Sequence, residues 1–236
     1  MEAGADLIDV NAGSEVEKEP ANMAWVVEVV QAAVDVPLCI DSYNPEAVAI
    51  GLEKSRHREQ AIANSITLQR GRYQHTLSLV KDYGCSVIGL PIDDEGIPYD
   101  AKGRVEKTLR LADVVSSYDI PLERLYIDLM AIPIATDTMQ GLAILDTLKQ
   151  LKVELPQVQT TLSLTGMSFG LPARGLILIT FLPMLLYLGI DALIMDPSTK
   201  AGKQLMAMIT TSEMLFNRDR FCQSYIAAHN QGKLKF

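Results

Sequence analysis

Histidine is nearly absent from this chain, at three residues in 236, and the three stand far apart. His57 lies in the charged stretch EKSRHRE, His75 in YQHTL and His229 in AAHNQGK, settings that read as helical or terminal. No nucleophile, base and orienting acid converge, so a hydrolase triad has no support. Cysteine is equally sparse: Cys39, Cys85 and Cys222 are odd in number and widely separated, and the first two sit inside apolar runs. They read as reduced core residues of a cytoplasmic protein, and with so few histidines no metal site is expected. Gly84, Gly89, Gly103 and Gly189 do not assemble the G-x-G-x-x-G that cradles a dinucleotide. Basic clusters are missing too: 21 Lys and Arg face 29 Asp and Glu, a formal charge of -8, which disfavours a nucleic-acid partner. The longest apolar run, GLILITFLPMLLYLGI from Gly175 to Ile190, contains a proline and falls short of the roughly 20 residues that span a bilayer. It reads as a buried barrel helix, partly covered by a partner subunit. The opening MEAGADLIDV has no basic segment followed by an apolar stretch, so no signal peptide is expected.

What the chain does have is a repeated ending. Short apolar runs stop on a carboxylate, amide or hydroxyl, as in ADLIDVN, PLCIDSYN, AIANSIT, LYIDLM, TTLSLTG and ALIMDPST, while CSVIGLPI ends more blandly. These runs, near 6–10, 36–41, 60–65, 85–92, 124–129, 160–165 and 191–196, are short and rich in Val, Ile and Leu, which predicts strands. Longer stretches with helical spacing lie between them. Met23, Val26, Val27, Val30 and Ala33 make one stripe, with Glu28 and Gln31 expected away from its centre. Ala47, Ile50, Gly51 and Lys54 follow Pro45, with Asn44 as the expected cap. Thr76, Leu79 and Val80 predict a helix ending before Gly84; Val105, Leu109, Ala112 and Val115 predict another; Leu142, Leu145, Leu148 and Leu151 a third, closed by Pro156. Met206, Ile209, Met214 and Phe221 suggest one or two closing helices.

Seven strands alternating with six connecting helices imply a parallel sheet, because each strand must return through a crossover. Nothing marks a linker, so residues 1–236 are expected to form a single domain. Open doubly wound sheets bring ligands to one crevice. Polar endings on at least five of the seven runs fit a ring better, namely an α/β fold of the TIM (β/α)8 barrel type. A full barrel has eight strands, so the first βα unit is expected to be missing from this chain.

The endings supply the candidate site. Asp41 and Asp128 each close a strand, where a carboxylate can accept two N–H donors from a guanidine-like or aminopyrimidine edge. Each can equally tie down its own loop or cap the next helix. Asn64 offers both a donor and an acceptor to a heterocycle, or satisfies loop backbone. Asp9 and Asn11 precede Ala12-Gly13-Ser14 and are expected to support the pocket more than to touch a ligand, with Ser14 or Glu17 starting the next helix. Asp196, before Pro197-Ser198-Thr199, is expected to be a helix cap, with a rim position as the other reading.

The order GADLIDVNAG, WVVEVVQ from Trp25, LCIDSYNPEAVAIGLE, AIANSIT, GIP at 96–98, LYIDL and LSLTGMSFGLPAR resembles the pterin-binding barrels that use methyltetrahydrofolate and a corrinoid protein. That group includes the methyltetrahydrofolate:corrinoid protein methyltransferases and the folate domain of cobalamin-dependent methionine synthase. The likeness runs from residue 2 to about 225. It implies that Asp41, Asn64 and Asp128 hold the aminopyrimidine half of the pterin, with Asp9 and Asn11 at the pocket base. It implies that Ser168 and Arg174 lie on the loop after the barrel's seventh strand, beside the reacting N5-methyl. The implied reaction is methyl transfer between N5 of 5-methyltetrahydrofolate and the cobalt of a corrinoid protein, in either direction. The cobalt attacks, and the enzyme positions the methyl and favours protonation at N5. The cobalt arrives on the partner protein, and a homodimer is expected.

Two departures stand out. The family carries an asparagine that turns toward N5 where this chain has Gly166 in Leu164-Thr165-Gly166-Met167-Ser168, and losing such a contact slows catalysis by on the order of 10²-fold or more. The family's polar Asn-Arg before Thr-Phe is replaced by Leu178-Ile179 before Thr180-Phe181. A pterin-binding relative with impaired or altered activity is therefore the second reading. Dihydropteroate synthase, on the same type of barrel, is a minor third, because Asp196-Pro197-Ser198-Thr199 lacks the basic residues it would want.

Overall fold

The computed structural model describes residues 3–13 and 16–234. All seven expected strands form: β1 (Ile8–Asn11), β2 (Leu38–Asp41), β3 (Ile62–Thr67), β4 (Ser86–Leu90), β5 (Leu125–Asp128), β6 (Gln159–Ser163) and β7 (Ala192–Ile194). Each pairs in parallel with the next in chain order. Helices α1 (Glu19–Ala33), α2 (Pro45–Lys54), α3 (Gln74–Tyr83), α4 (Ala101–Ser116), α5 (Gln140–Glu154) and α6 (Arg174–Leu188) make the crossovers, and α7 (Lys200–Leu215) and α8 (Gln223–Asn230) follow β7. The sheet curls into a nearly closed barrel. A cavity of about 490 Å³ lies along its inner face and the seam between β1 and β7, lined by Asp9, Cys39, Ile88, Tyr126, Thr161 and Ile194 among others.

The period-two alternation of the strands sorts their side chains. Val10, Ile40, Ala63, Val87, Ile127 and Leu162 are buried under the helices, where they form the core shared with Val27, Val48, Leu77, Leu111, Leu148 and Leu182. The alternate residues face the barrel interior. Gly51 lets α2 settle on the sheet, since a Cβ there would come within 2.5 Å of Ile40. Gly84 ends α3 in the left-handed region, at φ +65°, a conformation that suits glycine.

Several helix faces differ from the spacing-based expectation. Gln31 is buried, donating to the Lys54 carbonyl and accepting from the Arg56 amide, so it closes the end of α2. Leu109 and Leu142 lie on the exposed sides of α4 and α5, whose buried stripes run through Arg104, Thr108 and Leu111 and through Gln140, Ile144 and Thr147. Both stripes carry polar residues that bond to backbone, Arg104 and Thr108 in α4 and Thr147 in α5, and each buried face lies about one position from the apolar spacing. Asn44 caps α2 as expected, accepting from the Glu46 amide, and Pro45 occupies its first turn. Asp196 is not the cap of α7. Its carboxylate takes the Ser198 amide and hydroxyl, and Thr199 caps the helix by accepting from Gly202. Ser14 lies outside the described residues; Glu17 sits in a short 3-10 turn before α1, and the cap position there, Lys18, makes no side-chain cap bond. The 175–190 run forms α6, with Leu182 and Leu185 buried and Leu176, Met184 and Tyr187 exposed. Among the described residues, no helix is long and apolar enough to cross a membrane.

Candidate functional site

The strand ends bring Asn11, Asp41 and Asn64 into one row, because the register pairs Asn11 with Asp41 and Asp41 with Asn64. Asn11 Nδ2 donates to Asp41 Oδ2 at 2.9 Å, and Asn11 Oδ1 accepts the Gly13 amide at 2.9 Å. Asn11 thus ties the carboxylate of β2 to the loop after β1. Burial raises the Asp41 pKa; the Asn11 donor opposes that shift, and the like charges of Asp9 and Glu19 add to it. A carboxylate in this state gains from donors that a ligand would bring.

One layer below, the register pairs Asp9 with Cys39. Burial pushes the Cys39 thiol well up, and the charge of Asp9 and its hydrogen bond to the thiol push it further, so this sulfur stays protonated. Asn64 reaches the same thiol. Asp9 and Cys39 both line the cavity.

The turn after β2 is held from three sides. The Ser42 amide donates to the Asn64 carbonyl at 2.8 Å, and Ser42 Oγ donates to Glu19 Oε1 at 2.5 Å while accepting the Asn44 amide. Glu19 is buried at the start of α1 and was not foreseen; its signal was a carboxylate beside Pro20 at a helix start. Beyond Asn64 the pairing of β3 with β4 shifts, so that Ile66 rather than Ser65 faces Gly89. Such a bulge re-aims side chains at a strand end.

Asp128 ends β5. Its Oδ1 accepts the Met130 amide at 2.7 Å, and Met130 itself adopts φ +62°. Burial pushes the Asp128 carboxyl up to about 6, with the Met130 amide and the charge of Arg104 acting in the opposite direction. Arg104, in the first turn of α4, is wholly buried and is the second residue that sequence reasoning missed.

Residues 164–173 form the loop that the family likeness made catalytic. Ser168 is fully buried: its hydroxyl donates to the Thr165 carbonyl at 3.0 Å and accepts from Arg174 Nε at 3.0 Å. Arg174 Nη2 also donates to the Thr165 carbonyl at 3.0 Å, and its guanidinium lies 4.3 Å from the Phe169 ring centroid. Arg174 and Ser168 therefore brace this loop from within. Gly166 lies against the loop after β5, where an added Cβ would stand 3.1 Å from the Ala131 oxygen and 3.2 Å from its Cβ. The Ile134 amide donates to the Met167 carbonyl at 2.9 Å, locking the two loops together. Leu178 is buried and Ile179 partly so; both pack into the core.

His57 stays clear of this face. His57 Nε2 lies 2.9 Å from Asp35 Oδ1, and both residues belong to helix-to-strand connections at the opposite end of the barrel.

A family model described as "Pterin binding enzyme" matches residues 1–179. The chain is 29% identical over 235 residues to the methylcorrinoid:tetrahydrofolate methyltransferase of Eubacterium limosum, covering 99% of this chain and 85% of that protein. It is 29% identical over 207 residues to methionine synthase of Mycobacterium tuberculosis, covering 83% of this chain but 17% of that larger protein. Among solved structures, dihydropteroate synthase of Yersinia pestis with a pterine-sulfa conjugate superposes with a TM-score of 0.69 at 16% identity, over 91% of this chain and 84% of that one. Xanthomonas albilineans dihydropteroate synthase gives 0.68 at 22% identity, over 90% and 81%. At those identities the structures establish a shared fold.

Proposed function

The chain belongs to the pterin-binding enzyme family, and from that premise we propose that it carries a methyl group between N5 of a tetrahydrofolate and the cobalt of a corrinoid held by a partner protein. The observation that carries this reading is the likeness to methylcorrinoid:tetrahydrofolate methyltransferase along 99% of the chain. The site chemistry supports it. Asp41 and Asp128 are acceptors with depleted solvation, suited to the N–H edge of an aminopyrimidine, and Asn64 adds a donor and an acceptor. Asn11 orients Asp41, and Asp9 borders the cavity below.

In this reading the folate and the corrinoid are both substrates. The N5–methyl bond breaks as the cobalt–methyl bond forms, and the nitrogen keeps the electron pair and takes a proton. The chain supplies no nucleophile; it holds the pterin, excludes water and fixes the line of transfer. Arg174 and Ser168 keep the 164–173 loop in shape rather than touch the reacting atoms. The exposed side of α6, with Leu176, Met184 and Tyr187, is where a second copy of the chain would pair.

Gly166 favours a second reading, a pterin-binding relative with weakened or redirected transfer, because it offers no side-chain donor at that position. Dihydropteroate synthase is disfavoured: Asp196 to Thr199 form a self-bonded turn and helix cap without a basic group among them. The test is calorimetry with methyltetrahydrofolate followed by a methyl-transfer assay to Co(I)-cobalamin. Binding with transfer is the expected result. Binding without transfer would favour the second reading, and absence of binding would sink both.

A further inference from the structure

Among the described residues, Arg104 is the largest fully buried side chain, and it stands in none of the rim motifs. Its Nη1 donates to the Leu129 carbonyl at 3.0 Å, its Nε to the Pro98 carbonyl at 3.2 Å, and its Nη2 to Gln140 Oε1. Gln140 is itself buried, and its amide donates to Asp137 Oδ2 at 2.7 Å and to the Tyr99 carbonyl at 3.0 Å. One guanidinium therefore links the loop before α4, the residue just after Asp128 and the start of α5. A buried cation is unfavourable unless charge and hydrogen bonds compensate it, and neutral carbonyls supply only part of that compensation. The rest comes from the carboxylates around it: Asp128 at the end of β5, Asp100 at the cap of α4 and Asp137 before α5. Asp100 and Asp137 are spent on the Gly103 amide and on the Met139 amide and Gln140. Asp128 accepts only the Met130 amide among the described hydrogen bonds, and it alone of the three ends a strand at the site.

We propose that Arg104 is a positioning residue for Asp128: its buried guanidinium, bonded to the Leu129 carbonyl, holds the end of β5 and the loop that follows, so that the Asp128 carboxylate is ready to accept a pterin's N–H donors. The ligand side of this statement rests on the pterin-binding reading; the electrostatic side does not. A neutral side chain at 104 would remove the Arg104 charge that opposes the burial driving Asp128 toward the acid form. Losing an adjacent opposite charge raises a carboxyl pKa by about one unit or more. In Arg104→Gln the Asp128 titration should move up from about 6 by about that much, and tetrahydrofolate binding should fall off at a correspondingly higher pH, about twofold weaker at about pH 7 and approaching about tenfold weaker below about pH 6. Arg104→Lys keeps the charge while losing the fork, so it should hold the titration near its wild-type position.

The test is carbon-13 NMR titration of the aspartate carboxyls in wild type, Arg104→Gln, Arg104→Lys and Gln140→Glu, with Asp128 assigned through Asp128→Asn. Tetrahydrofolate calorimetry across the same pH range accompanies it. Gln140→Glu neutralises Arg104 in place with nearly the same shape and should raise the Asp128 titration even if Arg104→Gln does not fold. An unchanged Asp128 titration in the neutralised variants, with only a uniform loss of stability, would overturn the proposal. If the titration moves as stated while no variant and no wild-type protein binds tetrahydrofolate, the electrostatic role stands and the pterin reading falls.

Discussion

Substituting Gly166 by alanine asks whether that residue is a vacant catalytic position or a packing requirement. The added Cβ would stand 3.1 Å from the Ala131 oxygen and 3.2 Å from the Ala131 Cβ, so the neighbour must give by a few tenths of an ångström. It cannot give freely, because the Ile134 amide is bonded to the Met167 carbonyl and Gly170 lies close to Ala135 in the same pair of loops. Overpacking of this kind is destabilising by roughly 1–3 kcal/mol. Ordering the unfolded chain returns roughly 0.4–1 kcal/mol when glycine becomes alanine. Gly166→Ala should therefore lower stability by about 1 kcal/mol, seen as a lower urea midpoint with an unchanged slope and a melting temperature lower by about 2–4 °C. Ala131→Gly removes the Cβ contact but not the carbonyl contact, so the double variant should recover about half of the loss, with a measurable coupling energy. A Gly166→Ala midpoint equal to or above wild type would refute this reasoning. The same pair guides any attempt to restore an amide: Gly166→Asn is best judged for methyl transfer in the Ala131→Gly background.

The remaining predictions concern the carboxylates of the proposed site, Asp41 and Asp128. Burial holds folded Asp128 near pH 6, above its ordinary value of about 3.9, so the native state takes up a proton that the unfolded chain does not, and stability from this group falls as pH rises between those values. Asp128→Asn should flatten that slope, making the variant more stable than wild type by about 1–3 kcal/mol at pH 8 and equal to it near pH 4, while it loses ligand affinity. Asp41→Asn should act in the same direction but less, since it relieves burial of a charge beside Asp9 and Glu19 while surrendering the Asn11 bond. Denaturant titrations at several pH values check both.

The strands and crossovers were legible because apolar runs of strand length alternate with helical periodicity, and that alternation dictates parallel pairing. The polar endings were legible because a buried strand has no reason to finish on Asp or Asn unless its end is a rim, and the register then places Asn11, Asp41 and Asn64 side by side. Helix faces were read less well where polar residues occupy the buried side. Arg104 and Thr108 share a face with Val115, four to seven residues apart, and that spacing was the available signal; the charged neighbours Lys102, Glu106 and Lys107 hid it. Gly166 could not be interpreted from sequence alone, because Ala131, the residue that crowds it, is 35 positions away and meets it only through the stacking of two loops. Asp196 followed the cap pattern in composition, but Thr199 stood closer to the first helical residue and took the role.

The central claim is that the Asp41 and Asp128 carboxylates grip the aminopyrimidine edge of a pterin. The most direct measurement is calorimetric binding of tetrahydrofolate and of its analogue lacking the 2-amino group, in wild type, Asp41→Ala and Asp128→Ala. The account predicts that removing the amino group weakens wild-type binding by about 10- to 100-fold, as expected for a charge-assisted hydrogen bond. At least one of the alanine variants should bind the two compounds almost equally. Equal losses in all three proteins would contradict it, for the amino group would then be recognised by something other than these carboxylates.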